Sequence, residues 1–140
     1  MFELIYRSTA HDNIKSSDIL SILNTSRHYN SVHNITGCLL YYNHEFVQIL
    51  EGDKSQVKEL FSKIENDTLH TQVVLVSEND KHDRTFKNWS MAYHELRKSE
   101  IQDISKQNFI NSFLTISELA EKPTHVTKLF WHLSQEILKT

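Results

Sequence analysis

The chain has 140 residues, 39% hydrophobic and 24% charged, with a formal net charge of −3; it is long enough for one domain with a real core, with or without an appendage, and too weakly charged for a general attraction to nucleic acid or anionic membrane. Two glycines exclude a Gly-rich phosphate loop, and the single cysteine excludes an internal disulfide and fits a reducing, cytoplasmic setting. No apolar run approaches the ~18 residues of a membrane span, and Glu3 and Arg7 interrupt the N-terminal apolar run, so no signal peptide is expected.

Phe2 to Ser8 reads as a first strand with Leu4, Tyr6 and Ser8 on one face; its lack of clean alternation suits a strand covered on both sides. After a polar loop, Ser16 or Ser17 is expected to cap a helix whose first turn carries Asp18 and which runs to about Tyr29. Ile19, Leu23, Ser26 and Asn30 recur at helical spacing, so Asn30 falls at the helix end on the side turned toward the sheet.

Gly37 to Tyr42 is a second strand, and Asn43-His44 a two-residue hairpin turn. The third strand, Phe46-Val47-Gln48-Ile49-Leu50-Glu51, is stopped by Gly52. Alternation puts Val47, Ile49 and Glu51 on one face and Phe46, Gln48 and Leu50 on the other. Gln48 is thus a primary amide between two large apolar neighbours, and burying it without partners costs about 1–3 kcal/mol. Taken alone, a strand amide bonded to nearby backbone is the simpler account.

Asp53 is expected to cap a second helix, with Gln56 as its reciprocal partner in a capping box and Val57, Leu60, Phe61 and Ile64 as the apolar stripe. A β-branched run over Gln72 to Ser77 is a fourth strand, 79–84 a charged loop, and Phe86 to Tyr93 a fifth strand with Trp89, Met91 and Tyr93 on one face. The order β-α-β-β-α-β-β predicts an α+β, ferredoxin-like sheet with two helices on one face, over residues 1–96. The remaining stretch, 97–140, predicts a C-terminal helical pair around Pro123, one helix over Ile104 to Ala120 and the other from Thr124, packing its stripe of Val126, Leu129, Phe130, Leu133 and Ile137 on the open face of the sheet.

Tyr6, Gln48 and Asn30 converge in this arrangement, because the first and third strands of such a sheet are neighbours. The segments Leu4-Ile5-Tyr6-Arg7-Ser8, Asn30, Asn34-Ile35-Thr36-Gly37, Phe46 to Gly52 and Trp89-Ser90-Met91, in this order over about residues 2 to 93, resemble the BLUF family of blue-light sensors that bind a flavin. No single piece is specific; the set is. The resemblance implies an isoalloxazine ring between the two helices, usually as FAD, with FMN also open. It implies that Asn30 bonds the polar edge of the ring, that Gln48 sits between Tyr6 and the ring, and that Ser8 with Met91 or Trp89 completes the surroundings of Gln48. Ile22 and Ile64 would pack on the ring faces, with plain helix core an equal reading. Tyr29 falls where relatives often carry His or Asn, and either packs near the ring or competes with Tyr6 as an electron donor. Lys63 falls where some relatives carry Arg, and Lys63 or His70 would assist the flavin tail, a lysine meeting phosphate as a point charge without the bidentate fork.

On this reading Tyr6 supplies an electron and then a proton, and Gln48, which both donates and accepts, relays the proton and ends in a different hydrogen-bonding arrangement. No bond changes in the net reaction, so the expected protein is a switch and not an enzyme. The signal would leave through the last strand and the C-terminal helices to an unidentified downstream protein, or through self-association, a homo-oligomer being expected; no output domain and no direct contact with nucleic acid or membrane is expected. The nine histidines form neither an H-E-x-x-H nor a Cys/His cluster, so no metal is expected. Two other readings compete: a flavin-free ferredoxin-like interaction or regulatory module, with Gln48 and Asn30 structural, and a flavin enzyme, which lacks an evident catalytic acid, base or nicotinamide site.

Overall fold

The computed structural model describes residues 1–42, 44–68, 70–86 and 92–96. Strands β1 (Phe2–Ala10), β2 (Thr36–Tyr42), β3 (Glu45–Gly52), β4 (His70–Asp80) and β5 (Ala92–Leu96) and helices α1 (Ser16–Val32) and α2 (Lys54–Glu65) follow the order β1-α1-β2-β3-α2-β4-β5. They build a five-stranded sheet in the order β4-β1-β3-β2-β5. All neighbours are antiparallel except β2 and β5, which run parallel. This is the α+β, ferredoxin-like arrangement, with β5 added beyond β2.

The pleat sorts the side chains of β1, β2 and β3 onto two covered faces. Toward the helices point Phe2, Leu4, Tyr6, Leu39, Tyr41, Phe46 and Leu50, in one buried cluster with Ile19 and Leu23 of α1 and Val57 of α2. Each such apolar side chain contributes about 1.5–3 kcal/mol on leaving water. On the other face Ile5, Cys38, Leu40, Val47 and Ile49 are buried as well, which is why β1 and β3 show no simple alternation of apolar and polar residues. Burial pushes the Cys38 thiol up to about 12, so it acts as a small apolar group. Among the described residues, no helix is long and apolar enough to cross a membrane.

Several local expectations change. The N-cap of α1 is Lys15, not Ser16 or Ser17; Asp18 reaches back and accepts from the Lys15 amide at 2.9 Å. α1 continues past Tyr29 to Val32. There Asn34 adopts a left-handed conformation (φ 55°) and lets the Ile35 amide donate to the Asn30 carbonyl at 2.8 Å, a Schellman-type ending that satisfies an otherwise orphaned carbonyl. Asp53 does cap α2, accepting from the Ser55 amide at 3.1 Å and its hydroxyl at 2.6 Å. The bond from the Ser55 side chain, then that from the Gln56 amide, hold its carboxyl below the usual range. The reciprocal half of the box is not made: Gln56 Oε1 is buried and has no hydrogen-bond partner among the described residues. β4 extends to Asp80, into the expected loop, because pairing with β1 continues to Phe2 opposite Asp80. Phe86 lies in a bend, not in a strand. Of the hairpin turn, His44 takes a left-handed conformation (φ 63°), while Asn43 lies outside the described residues. Trp89, Met91 and the C-terminal helical pair lie outside them too.

Candidate functional site at the helix-facing side of β1 and β3

Backbone register brings the central pair together. Tyr6 stands directly opposite Gln48, and Gln48 in turn opposite Leu39 of β2. Both Tyr6 and Gln48 are buried. The Tyr6 hydroxyl donates to Gln48 Oε1. This bond uses the carbonyl end of the carboxamide, so the amide end serves a different group. Burial raises the Tyr6 phenol far above its ordinary value, and the negative charge of Asp67 adds to the shift. The phenol is therefore a proton donor throughout the physiological range.

The surroundings fix this pair. The Tyr6 ring packs on Phe61 of α2, centroids 5.5 Å apart and planes tilted by 47°. On its other side the pairing of β1 with β4 shifts register between Ile5 and Tyr6, an irregularity of the kind that re-aims a side chain. Ser8, two residues along the same face, is buried. Asn30 is buried in the last turn of α1, on the face shared with Ile19 and Leu23, as the spacing predicted.

Two further predicted residues meet across the helices. Lys63 Nζ donates to the Tyr29 hydroxyl at 3.3 Å and lies 4.5 Å from its ring centroid. The Tyr29 ring is stacked on His33, centroids 3.9 Å apart, and His33 Nδ1 lies 2.8 Å from the Tyr29 carbonyl oxygen. Ile22 and Ile64 are half-buried, with Ile64 packed against the core cluster. His70 begins β4 opposite Ala10; only its backbone is described.

The donor set suits a flat, polar-edged heterocycle. Asn30 and Gln48 are two buried carboxamides that both donate and accept, Ile22 and Ile64 are half-buried, and the exposed Lys63 stands against Tyr29. Sequence reasoning missed three things. Phe61 as the partner of the Tyr6 ring and His33 as that of Tyr29 were invisible without the helix–sheet and helix-end geometry. The third is the polar cluster around Glu51; a carboxylate in an apolar strand was signal enough to ask for its partner. Among the described residues no group of His, Cys, Asp and Glu could hold a metal ion.

A family model described as sensors of blue-light using FAD (BLUF) matches residues 1–92. Photoactivated adenylate cyclase subunit beta of Euglena longa is 42% identical over 73 residues, which cover 52% of this chain and 8% of that protein. The blue light- and temperature-regulated antirepressor BluF of Escherichia coli (strain K12) is 30% identical over 106 residues, 76% of this chain and 26% of that protein. The chain thus matches only a small part of these curated relatives. Among solved structures, BlrB, a BLUF protein in its dark state, is 29% identical with a TM-score of 0.70, the match covering 96% of each chain.

Proposed function

The chain belongs to the BLUF family of flavin-binding blue-light sensors, and on that premise we propose that Tyr6 and Gln48 form its photochemical pair, with Asn30 holding the polar edge of an FAD chromophore. The observation that carries the reading is the buried hydrogen bond from the Tyr6 hydroxyl to Gln48 Oε1 across adjacent strands. Bound between the helices and excited by blue light, FAD would supply a one-electron oxidant beside this pair. Tyr6 would give up an electron, its phenolic proton passing along the hydrogen bond to Gln48, and would then regain both, so that no net oxidation remains. Gln48 accepts at one end and donates at the other, so it would pass the proton out and back and settle in a changed hydrogen-bonding arrangement. Phe61 keeps the Tyr6 ring in place and excludes water from its face. Ser8, with Trp89 or Met91, completes the surroundings of Gln48, and Ile22 and Ile64 flank the ring.

Lys63 or His70 is assigned to the FAD tail, and Tyr29, which Lys63 meets, to the neighbourhood of the ring. The ammonium beside the Tyr29 ring disfavours removal of an electron from that ring, which supports Tyr6 over Tyr29 as the donor. The module is a sensor and not an enzyme. Its signal passes to a downstream protein, as its kinship with parts of larger light-regulated proteins supports; self-association is the second outlet. Residues 97–140 are assigned as a helical extension over the second sheet face, in keeping with the burial of Ile5, Leu40, Val47 and Ile49 there. A cytoplasmic setting accords with the free Cys38 thiol.

The test is an absorption spectrum of the purified chain before and after a blue flash, with the flavin identified by mass after release. Flavin bands that move slightly to the red and relax in darkness are expected, with FAD released. A colourless protein that refuses added FAD would remove the roles given to Tyr6, Asn30 and Gln48.

A further inference from the structure

Glu51 stands three residues beyond Gln48 on β3, on the opposite face, flanked by Glu3 of β1 and Thr36 of β2. Both carboxylates are fully buried. Like charges side by side under cover are unfavourable, and Lys81 answers them: its buried ammonium lies 3.2 Å from Glu3 Oε2 and also bonds Glu51 Oε2. Oε2 of Glu51 accepts in addition from the Thr85 amide at 2.9 Å. Oε1 accepts from the Phe86 amide at 2.6 Å and the Thr36 hydroxyl at 2.7 Å. Arg84 closes the cluster, donating to Thr36 Oγ1 at 2.9 Å, to the Glu51 carbonyl at 3.3 Å and to the Asn34 carbonyl at 2.5 Å.

Both oxygens of Glu51 thus accept two bonds each, and among the described residues every donor to its carboxylate apart from Thr36 comes from 81–86, a stretch with neither helix nor strand. Glu51 is the β3 side chain that holds this stretch, while Lys81 is also tied to Glu3 and to the Met1 carbonyl and Arg84 to Thr36 and Asn34. In sequence the stretch leads directly to Trp89 and Met91 and on to β5. Charge-assisted bonds of this kind are strong and geometrically demanding, so they register small movements of the strand that bears them.

We propose that Glu51 is a positioning residue of the light switch: it ties the 81–86 segment to the strand that carries Gln48, and rearrangement at Gln48 loosens that tie. The proposal rests on the photoreceptor reading above. By linkage, a change that loosens the tie in the dark favours the lit state. Glu51→Gln does so, because it puts an amide donor among groups that are themselves donors.

The experiment is backbone hydrogen exchange at Thr85 and Phe86 in the flavin-loaded full chain, in darkness and under steady blue light, with the absorption shift followed in the same sample. In the wild type, light is expected to speed exchange at both amides. In Glu51→Gln, exchange is expected to be fast already in darkness and insensitive to light, with the red shift kept and dark recovery slowed. A normal red shift with unchanged exchange at Thr85 and Phe86 would overturn the proposal alone. Absence of any red shift would overturn the photoreceptor reading and the proposal with it. The wild-type comparison decides even if the variant does not fold.

Discussion

At the scale of single residues the molecule turns on two groups whose chemistry is set by burial. Tyr6→Phe keeps the ring on Phe61 and removes only the hydroxyl. It is expected to bind flavin, to show no light-induced red shift, and to cost about 1–3 kcal/mol by leaving Gln48 Oε1 buried without its donor; a flash spectrum and a urea melt check both. Gln48→Leu fills similar space without a relay, so flavin should bind and its spectrum stay dark-like after a flash. The Tyr6 phenol also makes a pH prediction. Its value is raised in the folded chain, first by burial and then by Asp67, while in the unfolded chain it ionises near pH ~10. Its contribution to stability is therefore whole below about pH 10 and is lost as the pH rises beyond that value, since the unfolded state then binds fewer protons. The urea midpoint should fall more steeply above about pH 10 in the wild type than in Tyr6→Phe.

At the scale of elements, β3 matters most. It lies between β1 and β2, presents Gln48 to the helices and Glu51 to the other side, and has buried residues on both faces. Its contact with β2 depends on Gly37, where a Cβ would stand 2.0 Å from the Ile49 carbonyl oxygen. A backbone oxygen cannot rotate away, so β2 and β3 would have to separate. Gly37→Ala is expected to destabilise by at least about 1–3 kcal/mol, the ordinary cost of overpacking, measurable as a lowered urea midpoint. The elements also show which signals in the chain were readable. The hairpin β2–β3, the Asp53 cap and the stripe of α2 rest on contacts close in sequence, and all were legible. The extent of β4 was not, because its polar end, Glu78 to Asp80, becomes strand only by pairing with the far end of β1.

At the scale of the whole molecule, the central strands β1, β2 and β3 are buried on both sides. Ile5, Leu40, Val47 and Ile49 are closed to solvent on the face away from α1 and α2, and exposing them would forfeit about 1.5–3 kcal/mol for each side chain. On the proposed role of 97–140, truncation after residue 96 is expected to lower the melting temperature markedly while the remaining domain keeps its flavin and its red shift, and to abolish capture of the downstream protein. A thermal melt beside a flash spectrum tests this; an unchanged melting temperature would show that the extension does not cover the sheet.

By itself the sequence determined the element order, the faces of β1, β3 and α1, and the meeting of Tyr6 with Gln48. These follow from local periodicity and from the few ways a β-α-β-β-α-β chain can close a sheet. It also carried enough of its family's pattern to indicate a flavin and a light response. Only the tertiary structure decided which groups answer the buried charges: Lys81 between Glu3 and Glu51, the amides of Thr85 and Phe86 on Glu51, Lys63 on Tyr29, Phe61 on Tyr6. Most of these partners lie some 30 or more residues from the groups they serve, and no local period connects them. Such pairings are selected by the cost of leaving a buried polar group unanswered, and that cost is felt only once the sheet has closed over it.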